Sequence, residues 1–359
     1  MRAGLGLRPS VAPWTTNSHI SVRGARRRIF VALAIASALV AGALGKAATN
    51  SSASGRVEAQ ASYGWPVKPF DRQHPVRGGF GDPRTIFNAA PTMHGVLSGS
   101  GDFQFHRGID ISAPNGTAVY PVASGVVTVV NTTDQWVKVD SGDGRAFEYW
   151  HIHAAVGVGA QVEVGNTILG HIARPAGHVH LTELDGGAYA NPLAPGHIGP
   201  YEDHTTPRVT SISLRTSETS RDQLPNRIRG RVLLVAEAED DPTISAPGPW
   251  KGLPVAPALV TWKIRTWTGK NVLGPRTAAD FRTTLPGGSL WSIYARGTYQ
   301  NMTVLGNHYS WAQPGSYLFR LGPAFDTRQL RNGTYDLVVT ATDIRGNNSS
   351  LARRFTVKN

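Results

Sequence analysis

The sequence predicts an all-β protein: an antiparallel β-sheet segment over residues 63–193, followed by a β-sandwich over residues 208–359. Three observations predict it. Runs of four to eight β-type residues recur between Gly, Pro and Asn, the punctuation of a sheet built from short strands. Between Trp65 and Leu193 no stretch of useful length carries a helical period. Near the end, Gly333–Gly346 alternates apolar and polar residues, turns, and is followed by a last strand at Leu351–Val357. A length of 359 residues suits two domains at roughly 100–200 residues each.

The chain opens differently. Arg23–Arg28 is a basic cluster, and residues 29–44 (IFVALAIASALVAGAL) carry no charge. Such a run is short for a spanning helix, which needs about 20 residues, and long enough for the apolar region of an export signal. Residues 1–45 therefore read as a signal peptide, cleaved near Ala43–Gly45 or retained as a membrane anchor. Residues 46–62 are rich in Ala, Ser and Gly without periodicity, the composition of a flexible linker.

Within 63–193, strands are expected at Gly125–Val130, Trp136–Asp140 and Arg145–Trp150. Ser141-Gly-Asp-Gly144 between the last two is a hairpin signal. Residues 194–207 are rich in Pro, Gly and polar residues and read as a linker. Beyond it, Arg231–Ala236, Ala258–Ile264 and Tyr335–Ala341 read as strands. The closing hairpin resembles the last hairpin of immunoglobulin-like sandwiches. Glu237, Glu239, Asp240 and Asp241 read as a solvated acidic loop in preference to a calcium site.

Composition excludes several function classes. With no Cys there is no disulfide scaffold, no thiol catalysis and no sulfur-ligated zinc. A metal site has only His, Asp and Glu to draw on. The net charge is +12, but Arg2, Arg8, Arg23, Arg26, Arg27, Arg28 and Lys46 precede residue 50 with no acid among them. Removing those seven leaves +5 on the other 309 residues, and no basic-aromatic patch stands out, so nucleic acid is not the expected partner.

Ten of the 12 histidines fall between His74 and His204. His106 and Asp110 are four residues apart, about 13 Å in a straight strand. They reach one metal only if the backbone folds between them, and Gly108 permits that. His178 and His180 share one face of a strand, with Cα atoms about 6.6 Å apart. His151 ends the strand after the Ser141–Gly144 turn. Two His and one Asp make three ligands with an open fourth position, the pattern of a catalytic zinc. Spare imidazoles beside it suit proton transfer and oxyanion stabilisation in amide hydrolysis.

Six ordered motifs carry a resemblance. They are Trp65-Pro-Val67 with Arg77-Gly-Gly-Phe-Gly-Asp-Pro-Arg84; His106-Arg-Gly-Ile-Asp110 and the strand to Tyr120; Ser141–Gly144; Tyr149-Trp-His151; Val164-Gly165 with Ile168-Leu-Gly170; and His178-Val-His180-Leu-Thr-Glu183. Residues 65–185 resemble the lysostaphin-type peptidoglycan endopeptidases, zinc metallopeptidases of bacterial cell walls with a duplicated hybrid motif fold. The resemblance implies that His106, Asp110 and His180 hold zinc and that His151 and His178 are the catalytic histidines. It implies peptidoglycan peptides as substrate and a groove on an antiparallel sheet.

The sequence departs from the family at Arg174–Gly177, where a Thr-Gly-Pro is usual, and at residues 85–105, an insertion read as a surface loop. His153 is the alternative to His151. Glu183 and Tyr149 are candidates for the shell behind the ligands or for substrate contact. His74, His94, His171, His197 and His204 receive no chemistry. The expected protein is an exported zinc endopeptidase of the cell envelope, touching the membrane only through its N-terminal segment if that is uncleaved. No partner protein is identifiable. The alternative is an inactive envelope module that keeps the same fold.

Overall fold

The computed structural model describes residues 62–87, 101–217, 222–303 and 312–359. The apolar segment 29–44 and His94 lie outside them. No helix among the described residues is long and apolar enough to cross a membrane.

The first half is a succession of strands: β1 (Val76–Gly78), β2 (Pro83–Phe87), β3 (Gly101–Phe105), β4 (Ile109–Ser112), β5 (Ala118–Val119), β6 (Gly125–Asn131), β7 (Trp136–Asp140), β8 (Arg145–Trp150), β9 (Ile152–Ala154), β10 (Gln161–Val162), β11 (Gly170–Ile172), β12 (His178–Asp185) and β13 (Ala188–Ala190). The main sheet runs β1-β4-β12-β8-β7-β6-β10, with β13 on the end of β12. A second sheet has the order β5-β11-β9. The Ser141–Gly144 turn joins β7 to β8, with Gly142 and Gly144 both at positive φ.

Register gives the main sheet two unlike faces. Ile109, Leu181, Tyr149 and Val137 form one row across β4, β12, β8 and β7, and each is fully buried. One residue along each strand, Asp110, His180, Trp150 and Trp136 form the parallel row on the opposite face. Successive side chains of a strand point to opposite sides, so the apolar row fixes where the histidine row must face.

The second half continues with β14 (Arg208–Arg215), β15 (Arg231–Glu239), β16 (Leu259–Thr266), β17 (Asn271–Asp280), a one-turn helix α1 (Leu290–Ile293), β18 (Met302–Thr303), β19 (Ala312–Gln313), β20 (Leu318–Arg320), β21 (Phe325–Asp326), β22 (Gly333–Thr342) and β23 (Asn348–Val357). One sheet is β14-β15-β20 with β21 on β15; the other is β17-β16-β22-β23. β14 packs on β22 and β23, so the two sheets face each other. The strand pairs are antiparallel throughout.

One cluster of buried apolar residues runs from Tyr63 and Trp65 to Val357 and includes both halves. Residues 194–207 are held within it. Ile198 and Tyr201 are buried, and Arg345 donates to the carbonyls of Leu193 and Tyr201. The insertion at 85–105 differs from its reading as a surface loop. Its base is the β2–β3 hairpin, and Phe103 and Phe105 pack on Trp291, Phe281 and Tyr294 of the second half. Asp240 is also buried, at 6% exposure, against the expectation of a solvated acidic loop.

Candidate active site

The chain bends between β3 and β4 as the sequence requires. His106 sits in the bend, its N–H donating to Asp82 O (2.8 Å) and its carbonyl accepting from Gly81 (2.9 Å). Gly108 is needed there for space: a Cβ would lie 2.1 Å from the carbonyl oxygen of Leu181 and 3.0 Å from His180 Nε2. Its value is this close approach of the bend to β12.

Three atoms converge above the histidine face. His106 Nε2 is 2.7 Å from His180 Nδ1 and 3.1 Å from Asp110 Oδ1, and His180 Nδ1 is 3.1 Å from the same Asp110 oxygen. These three residues form the one cluster among the described residues whose ligand atoms are close enough together to hold a metal ion. The donor set fits a cation. His106 Nδ1 is 2.7 Å from Gly79 O, a group that only accepts, so Nδ1 carries the hydrogen and Nε2 presents a lone pair. In the tautomer that donates Nε2–H to Thr182 Oγ1 (2.8 Å), His180 also presents a bare Nδ1. Two lone pairs and a carboxylate oxygen then face one point with no hydrogen between them, and a divalent cation relieves that repulsion.

Electrostatics set the protonation states of these three groups. Burial lowers the His106 pKa to about 3, so the ring is neutral at pH 7. Burial acts to raise Asp110, but the positive charge of Arg84 opposes it, and the carboxyl is held well below its usual range. The Arg84 guanidinium contributes directly, with Nη2 2.6 Å from Asp110 Oδ2. Gly78 leaves room for that pair: a Cβ there would lie 2.5 Å from Asp110 Oδ2.

His178 and His151 stand beside the cluster. His178 is buried, with Nε2 3.5 Å from Asp110 Oδ1. Its Nδ1 lies between Arg77 Nη2 (2.7 Å), which only donates, and Ala176 O (2.8 Å), which only accepts. Which of the two it bonds decides whether Nε2 offers a hydrogen or a lone pair. The His151 ring lies 4.5 Å from that of His178. His151 has φ 65, left-handed for a residue with a side chain, at the point where the chain leaves the main sheet for the second. Backbone strain of this kind costs on the order of 1–3 kcal/mol and is held in place by surrounding contacts. Here Ala173 donates to His151 O and Ile152 donates to Gln135 O. Burial lowers both imidazoles, His151 to about 4 and His178 well below its ordinary value.

Two expected residues lie elsewhere. Glu183 is three positions beyond His180, hence on the apolar face, where it accepts from Tyr63 Oη and bonds His197 Nδ1 (2.8 Å). Tyr149 is fully buried beside Leu181, and its phenol oxygen accepts the Val122 N–H (2.8 Å). Neither reaches the metal ligands or a substrate surface. The alternative to His151 also fails, since His153 is exposed and pairs with His171 in the second sheet. His74 bonds Pro69 O, and His204 is exposed beside Glu202.

Sequence reasoning assigned no role to Arg77, Arg84 or Trp150. The arginines lie in the Arg77–Arg84 motif, whose spacing points to no function for them. Trp150 was adjacent to His151 in sequence, yet its significance is its register opposite His180 and its stack on Trp136 (4.8 Å between centroids).

Comparison with known proteins finds one family match and several solved structures. Residues 104–192 match the family described as Peptidase family M23. A search of curated proteins finds no match. Among solved structures, a peptidase M23 from Pseudomonas aeruginosa is 22% identical with a TM-score of 0.25, over 38% of this chain and 50% of that one. A zinc containing peptidase from Vibrio cholerae is 24% identical with a TM-score of 0.28, over 36% and 39%. The catalytic domain of a prophage-encoded M23 protein from Enterococcus faecalis is 23% identical with a TM-score of 0.23, over 33% and 91%. The His106–Asp110–His180 cluster lies inside the residues that match peptidase family M23.

Proposed function

We propose that this protein is a zinc-dependent endopeptidase that hydrolyses peptide bonds in bacterial peptidoglycan. The observation that carries the proposal is the convergence of His106 Nε2, Asp110 Oδ1 and His180 Nδ1 within the residues that match this family, with two further neutral imidazoles beside them. His106, Asp110 and His180 would hold the zinc, which when bound supplies Lewis acidity to a carbonyl and to water.

The remaining chemistry falls to His151 and His178. Both are neutral at pH 7, so one imidazole accepts the proton of the attacking water while the other donates an N–H to the carbonyl oxygen as it gains charge. The same proton is then delivered to the leaving amine. The positive left-handed turn at His151 supports this reading, because it aims the ring at His178 instead of continuing the strand. The basic cluster and apolar run at residues 23–44 support action outside the cytoplasm.

The test is release of new amino termini from purified peptidoglycan by the full-length protein. Activity should vanish with a chelator, return with zinc, and be absent in His106→Ala. Full activity of His106→Ala would overturn the metal assignment. A metal-free, inert protein would identify it as a binding module of the same fold.

A further inference from the structure

Beside the cluster lies a cavity of about 110 Å³. Arg77, Arg84 and Asp110 line it from the first half; Trp250 and Gln300 close it from the second. We propose that this cavity is a substrate subsite that takes a free carboxylate next to the cleaved bond, held by the guanidinium groups of Arg77 and Arg84. The inference rests on the peptidase reading and adds a substrate class to it: peptides with an ionised carboxyl flanking the scissile bond.

Four observations carry it. A guanidinium presents N–H donors in a planar fork that matches a carboxylate. Arg77 lies over the Trp250 ring, its guanidinium carbon 4.3 Å from the ring centre. Contact of this kind limits the rotamers of the side chain before a ligand arrives. Position is the second observation. Asp110 lines the cavity with one part and the metal cluster with another, and Arg77 also touches His178, so an anion here sits one side chain from the reacting bond.

Charge is the third. Asp82 also lines the cavity, but its carboxylate accepts the backbone N–H groups of Gly79 and Ala256 (both 2.8 Å) and lies 3.9 Å from the Arg84 guanidinium. Asp110 is paired with Arg84. With a divalent cation on the cluster, two guanidinium groups and the ion outweigh these carboxylates, and the cavity favours an anion. Size is the fourth. This volume has room for a small group such as a carboxylate on one or two carbons. The subsite is built by both halves, which gives the second half a part in selecting substrate.

The experiment uses matched soluble muropeptides that differ only in whether the carboxyl beside the cleaved bond is free or amidated. For the full-length zinc-loaded protein, kcat/KM should favour the free acid by about tenfold to a hundredfold, the scale of a charge-assisted hydrogen bond. Arg77→Gln should abolish that ratio, and Arg77→Lys should restore part of it. In parallel, calorimetry on the zinc-loaded protein should detect N-acetyl-D-alanine but not its amide, with the signal lost in Arg77→Gln. Equal cleavage of both muropeptides would overturn the subsite and leave the peptidase reading standing. Absence of cleavage with Arg77-dependent binding of N-acetyl-D-alanine would support the subsite and overturn the peptidase reading. Absence of both would overturn the subsite.

Discussion

β12 presents two faces that differ by one residue in sequence and by their whole chemistry. His178, His180 and Thr182 face the metal cluster; Val179, Leu181 and Glu183 face the core. On the first face buried groups keep lone pairs aimed at a shared point. On the second the same degree of burial is used for packing, with Leu181 between Ile109 and Tyr149. The difference teaches that proximity in a motif says little about role in a strand, whereas parity decides it.

The largest effects should separate the faces cleanly. His180→Ala removes one of the three proposed zinc ligands; with a metal's contribution of several kcal/mol lost, the proposed activity should fall by at least about a thousandfold. Zinc content measured by atomic emission should fall with it, and the thermal midpoint of the metal-free protein should change little. Leu181→Ala, one position on, should destabilise by about 2–5 kcal/mol in denaturant melts. Its folded fraction should still bind one zinc. If Leu181→Ala lost zinc without losing stability, the division of faces would be wrong.

Gly108→Ala attacks both faces at once. The added methyl meets the Leu181 carbonyl and approaches the His180 ring, so β12 must shift away from the bend. Overpacking of this kind costs about 1–3 kcal/mol. Because the bend also fixes the spacing of His106 and Asp110, zinc affinity should fall together with stability. A variant destabilised by that amount with unchanged zinc affinity would show that the bend and the ligands are independent.

Much of this was legible beforehand. The strands at Trp136–Asp140 and Arg145–Trp150 have the expected bounds, because alternation and a Gly-Asp-Gly turn specify them locally. His106, Asp110 and His180 meet because the register of β4 with β12 follows from the apolar row beneath them. Tyr149 was less legible: it stands in the Tyr149-Trp-His151 motif, and two residues of one motif share a face only if the strand continues. The positive φ of His151 interrupts that, and nothing in its residue type signals it, as a glycine would have. Trp250 and Gln300 reach the site from far along the chain, through contacts such as Gln300 Oε1 with the Thr85 N–H (2.8 Å). No spacing rule links residues that distant. The docking of Phe105 on Phe281 and Tyr294 was hidden for the same reason.

Glu183 gives the smallest expected effect and the sharpest test of parity. Its Oε2 takes hydrogen bonds from Tyr63 and His197, while Oε1 is buried without a partner among the described residues. Glu183→Gln keeps a carbonyl oxygen for Tyr63 and removes a buried carboxylate. The lost charge-assisted bonds and the relieved desolvation oppose each other, each on the order of 1–3 kcal/mol. Stability should therefore move by about 1 kcal/mol or less, with zinc content and kcat/KM unchanged. The motif would suggest otherwise, since Glu183 follows His180 by three residues and a carboxylate often orients a metal-bound histidine. Here that role is filled by other groups: Gly79 O holds His106, and Thr182 Oγ1 holds His180. A tenfold fall in kcat/KM at unchanged stability would mean that Glu183 acts across the sheet and that the two faces are coupled.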